Sequence, residues 1–121
     1  MRLLLKIAAV LLVAAVAFAT LGPPRYRPMT SLGQDGEHAL AFVLVGLAVG
    51  LALPRRPWLT AVVAVILTGL LELSQFLAPG RHARLEDFIV DSLALCVGLA
   101  VAAGLRLLVH RLRARASATD V

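Results

Sequence analysis

Four long apolar runs constrain this 121-residue chain more than anything else in it. They are Leu3–Leu21, Glu37–Leu53, Trp58–Leu77 and Phe88–Val109, of 19, 17, 20 and 22 residues. A helix that spans a bilayer needs about 20 mostly apolar residues, within a range of about 17–25. In lipid the backbone must satisfy its own polar groups, so each run is expected to be helical. Barrel strands are shorter and alternate, so the runs do not fit them. Composition agrees: 60% of residues are hydrophobic, 16% are charged, and the mean hydropathy is +0.91. Soluble domains hold about 45–50% apolar and about 25% charged residues. The connecting segments leave no room for a separate soluble domain. The expectation is an all-α membrane protein, with four transmembrane helices in an antiparallel bundle and residues 1–121 forming a single integral membrane domain.

The connections carry turn chemistry. Residues 22–36 hold Gly22, Pro23, Pro24, Pro28, Gly33 and Gly36, and Pro54-Arg55-Arg56-Pro57 reads as a tight helical hairpin. The third loop holds Pro79 and Gly80, and the basic tail after Val109 is expected to be mobile. Ala17-Phe18-Ala19 resembles a signal-peptide cleavage site, but the run before it is long and three more follow, so it is expected to stay as a first helix.

A net charge of +5 and a pI near 11.1 would suggest nucleic acid in a soluble chain. Here the cations flank the spans, so topology explains them and no nucleic-acid partner is expected. Of twelve Lys and Arg, eight fall on one side: Lys6, Arg55, Arg56, Arg106 and four near the two chain ends. Arg25, Arg27, Arg81 and Arg84 fall on the other. The positive-inside rule then puts both termini of the multi-pass chain in the cytoplasm. Cys96 is the sole cysteine and reads as a buried packing residue.

Polar residues interrupt the spans in one zone. Glu72 and Gln75 lie in the last turns of the third run, Asp87 and Asp91 in the first turns of the fourth, and His38 at the start of the second. Up-and-down topology brings all five to the same depth. Thr68, Glu72 and Gln75 follow i, i+4, i+7 spacing and share one helix face. Asp87 and Asp91 share another, which continues as Ala94 and Gly98, a small-xxx-small seam for close packing. Charged groups at the centre of a span cost about 2.5–3.5 kcal/mol each, and less near an interface.

Each has a plainer alternative. Glu86 and Asp87 sit where first-turn carboxylates stabilise a helix by about 0.3–1 kcal/mol. Glu72 could form a structural ion pair with Arg81, Gln75 could be interhelical glue, and His38 could be interfacial. Glu72 and Asp91 lie too deep for capping or full solvation, which favours a site. Carboxylates with a histidine suit a divalent cation, or general acid and base work. Arg81 beside Gly80 suits a phosphate or carboxylate. No motif such as HExxH, a phosphate loop or a nucleophile elbow selects among these.

Gly36-Glu37-His38-Ala39-Leu40-Ala41-Phe42 resembles the His-x-x-Ala-Phe helix opening of VanZ-like membrane proteins. Glu72-x-x-Gln75, Pro79-Gly80-Arg81 and Asp87-x-x-x-Asp91 resemble that family's Glu-x-x-Gln, Gly-Arg and Asp-x-x-x-Asn pattern. The resemblance covers about residues 34–105. It departs at Asp91, where the family often has Asn, and at Ala94, where Gly is common. It implies a small multi-helix protein of the bacterial inner membrane and leaves the activity undefined; the expectation built on the polar zone is an outer-leaflet pocket that binds or processes an envelope lipid or lipid-linked precursor. One member of that family is linked to teicoplanin-type glycopeptide sensitivity. On this reading His38, Glu72, Asp87 and Asp91 are the catalytic candidates, and Gln75 and Arg81 the ligand-binding ones. Whether a reaction follows, and whether a metal is used, stays open. The alternatives are a small proton-coupled exporter, disfavoured because the first run has no acid, and a structural subunit. Ala/Gly seams also allow a homo-oligomer.

Overall fold

The computed structural model describes residues 2–22, 31, 33–77 and 84–119. It contains four helices: α1 (Arg2–Leu21), α2 (Gly33–Ala52), α3 (Pro57–Ser74) and α4 (Leu85–Thr119). A single 3₁₀ turn, Gln75–Leu77, extends α3. Three helices are long and apolar enough to cross a membrane, over Leu3–Leu21, Pro57–Leu77 and Leu85–Ala118. The apolar part of α2, Gly36–Ala52, is shorter.

The helix ends follow local chemistry. Pro57 opens α3 at a position where its missing N–H is not needed. Gly33 opens α2 at φ 72°, in the left-handed region that disfavours side chains. α2 therefore starts four residues before its apolar run and includes Glu37 and His38 as helical residues. α4 extends beyond the fourth apolar run. It stays helical for 35 residues, well past Val109. Ala and Arg are strong helix formers, and Ser117 Oγ donates to the Arg113 carbonyl.

The interior is small and the exterior is large. Buried apolar residues include Ala9, Ala52, Ala94 and Ala102 around Phe42, Val45 and Leu95. Leu4, Phe18, Trp58, Leu67, Phe76, Leu93 and many others are exposed. That inversion suits lipid, where association comes from close packing of small residues rather than from hiding apolar ones.

The closest pair is α2 against α4, which are not neighbours in sequence. A Cβ on Gly46 would strike the Leu95 carbonyl, and one on Gly98 would strike the Val43 carbonyl. A Cβ on Gly50 would lie 2.6 Å from Ala102 Cβ. Gly46-x-x-x-Gly50 thus interlocks with Ala94-x-x-x-Gly98-x-x-x-Ala102. Residue numbers rise together along this seam, so α2 and α4 run parallel. α3 starts beside the end of α2 and ends near the start of α4, so it runs opposite to both. It meets α4 where Gly69 faces the Phe88 ring. α1 packs on α2 and barely meets α3.

Arg106 locks the far end of the seam. Its Nη1 donates to the Gly50 carbonyl. That carbonyl would normally bond the N–H four residues on, but position 54 is proline and has none. The arginine supplies the missing donor from the neighbouring helix.

Candidate functional site

Helix crossing gathers buried polar side chains at the end of the bundle where α2 and α4 begin. Thr68, Glu72 and Gln75 are all buried, as their shared helical face requires. Asp91 is fully buried, with about 1% of its side chain exposed. Thr20, near the end of α1, is buried as well.

Glu72 and Asp91 form the centre. Their carboxyls face one another across the α3–α4 contact, close enough for a proton to bridge them. Asp87 and His38 lie within electrostatic range of Glu72. His38 Nδ1 is 3.5 Å from Asp91 Oδ2, which ties α2 to α4. Asp87, one turn before Asp91 on α4, is half-buried.

Satisfaction is incomplete. Both oxygens of Glu72, both of Asp91, and the hydroxyl of neighbouring Ser92 are buried with no hydrogen-bond partner among the described residues. Two ionised carboxylates only accept and cannot satisfy each other, whereas a shared proton would let one donate to the other. Buried polar groups left without partners cost about 1–3 kcal/mol each, and more when charged. Several such acceptors in one place make this the candidate site. Thr68 differs, because its hydroxyl donates to the Ala64 carbonyl and is already used.

Beyond Thr68 the site adjoins an apolar groove of about 540 Å³ between α1 and α3. Val13, Phe42, Val45, Leu67 and Leu95 are among its walls. The groove exists because α1 and α3 lean on α2 and α4 rather than on each other.

No protein family, characterised protein or solved structure matches this chain.

His38, Glu72, Gln75, Asp87 and Asp91 therefore come from three helices to one end of the bundle. Arg81, expected beside them, lies outside the described residues, as does His82. Arg84 pairs with Glu86 on the surface at 2.7 Å, away from the buried acids. Among the described residues no group of three or more His, Cys, Asp and Glu is arranged to hold a metal ion. Cys96 is exposed, which corrects its reading as a buried packing residue. It falls on the side of α4 opposite the Ala94–Gly98 seam. Sequence reasoning missed Thr20 and the Gly46–Gly50 half of the seam. The second carried a legible signal in its small-xxx-small spacing.

Proposed function

We propose that this chain is a four-span membrane protein whose working part is the Glu72–Asp91 acid pair, which binds a head group rich in hydrogen-bond donors. The orientation in this reading puts both termini in the cytoplasm and the acid pair toward the outer leaflet. It rests on the charge count, eight Lys and Arg against four. The partner is an envelope lipid or lipid-linked precursor that enters sideways from the bilayer. Its hydroxyl or amine groups donate to the carboxylates, His38 holds Asp91 in place, and Gln75 adds amide contacts. The VanZ-like assignment belongs to this proposal and rests on the residue pattern alone.

The observation that carries the reading is the set of four buried carboxylate oxygens without donors. Among the described residues no cation or donor satisfies them, and partly satisfied buried polar groups are worse for a fold than an apolar core. The same oxygens argue against an anion at this point. A phosphate on the ligand would sit away from the pair.

The test is native mass spectrometry of the purified full chain. It is offered a lipid-linked sugar, or a diacylglycerol that carries a single hydroxyl. Wild type retains the sugar lipid in preference, and Glu72→Gln loses that preference while its melting point holds. Equal retention of both lipids by wild type would overturn the proposal.

A further inference from the structure

The bundle is electrically divided end from end. Glu37, Glu72, Glu86, Asp87 and Asp91 all lie toward the start of α2 and α4 or the end of α3, and Asp35 falls in the first turn of α2. At the opposite end the chain forms a separate cavity of about 700 Å³. Lys6 of α1 and Arg55 and Arg56 of the α2–α3 connection line it, with Pro54 and Thr60. Neither the His38–Asp91 pair nor the Arg84–Glu86 pair involves these three cations.

Flanking cations that only set topology have no need to converge. These come from two separate segments to one hollow. The hollow also continues into apolar space. Lys6, Ala52 and Leu53 are shared with a groove of about 490 Å³ along the α1–α2 seam. Leu53 and Thr60 are shared with the 540 Å³ groove between α1 and α3. Two apolar arms therefore diverge from one cationic head. The longer arm runs beside α3 from Leu59 to Leu71, a rise of about 18 Å. One leaflet of hydrocarbon is about 15 Å deep, half of the ~30 Å core.

We infer that this end of the bundle binds an anionic glycerophospholipid, its phosphate between Lys6, Arg55 and Arg56 and its two acyl chains in the grooves that meet at Leu53. The guanidinium groups can fork onto phosphate oxygens and the ammonium adds a point charge. α3 starts one residue after Arg56, so its free first-turn amides and positive dipole end favour the same anion. Basic hollows between membrane helices are where anionic head groups dock. The head-group hollow lies at the other end from the acid pair; one acyl groove extends to Thr68 and Leu71, beside Glu72, but the phosphate contacts do not depend on the acids.

The experiment uses the full chain in nanodiscs of phosphatidylcholine containing a minority of phosphatidylglycerol, with retained lipid read by native mass spectrometry. Wild type carries phosphatidylglycerol in preference. Arg55→Gln with Arg56→Gln lowers that preference roughly tenfold or more. Arg55→Lys with Arg56→Lys keeps most of it, and Arg111→Gln with Arg113→Gln, on the α4 extension, leaves it unchanged. Ala14→Trp, which fills the α1–α2 groove, lowers retention with all three cations intact. Equal loss in the α4 control would show diffuse surface charge and overturn the site. Displacement by inorganic phosphate as effective as by phosphatidylglycerol would overturn the lipid as its ligand. Failure of the acid-pair reading would show in Glu72→Gln alone, which leaves this binding intact.

Discussion

His38 on α2 and Asp91 on α4 meet at 3.5 Å, and the aspartate is completely buried. The pair joins two parallel helices at the end where the buried acids collect. Asp91 thereby has an imidazole at 3.5 Å, whereas for Glu72 the same ring is an electrostatic neighbour. That asymmetry separates the expected behaviour of the two acids.

Glu72→Gln removes a buried acid that has no donor, and its amide can donate to Asp91. The fold should keep or raise its melting point in detergent, while head-group binding is lost. Stability gained at the expense of function is the mark of a working site. A clear drop in melting point, with binding intact, would mean that Glu72 serves assembly.

His38→Ala leaves Asp91 buried without its neighbour and should destabilise by about 1–3 kcal/mol. Asp91→Asn keeps a hydrogen-bonding group of the same shape and should be milder. The double variant should show coupling of at least about 0.5 kcal/mol, as expected for residues in contact. Additive effects in unfolding titrations would mean that the two side chains act independently.

Glycines on α2 and α4 provide a matched test of the seam. Gly98→Ala puts a Cβ against the Val43 carbonyl, a backbone atom that cannot step aside. Overpacking of this kind costs about 1–3 kcal/mol. Gly104→Ala on the same helix meets nothing within 4 Å. It should be neutral or stabilise by up to about 1 kcal/mol through helix propensity. Thermal melts of the two variants that coincide would contradict the α2–α4 packing.

Arg106→Met removes the donor that the Gly50 carbonyl receives in place of the one Pro54 lacks. The unsatisfied carbonyl should cost about 1–3 kcal/mol. Pro54→Ala restores a local N–H, so it should lessen the penalty in the double variant. If Arg106→Met costs the same stability with and without Pro54→Ala, the arginine has a different role.

Reporter fusions test orientation. A fusion after Thr119 should report the cytoplasm, and one inserted beside Arg84 should report the outside. The reverse pattern would move the acid pair to the inner leaflet and remove the outer-leaflet partner.

The helices were legible in the sequence because lipid leaves an apolar run of about 20 residues little choice but to close its own hydrogen bonds. Spacing likewise determined that Thr68, Glu72 and Gln75 share a face, since helical geometry is local. The helix continues past Val109 although the tail is polar, because Ala and Arg favour helix in water too. Pairing was out of reach of any such rule. Hydropathy reports that a segment faces lipid, not which segment it touches, and a small-residue stripe such as Ala94–Gly98 shows a face but not its partner. Only the tertiary structure matched that stripe to Gly46 and Gly50, and so brought His38 to Asp91. It alone drew Lys6, Arg55 and Arg56 around one hollow, because which cations converge depends on how helices lean on one another and not on their order in the chain.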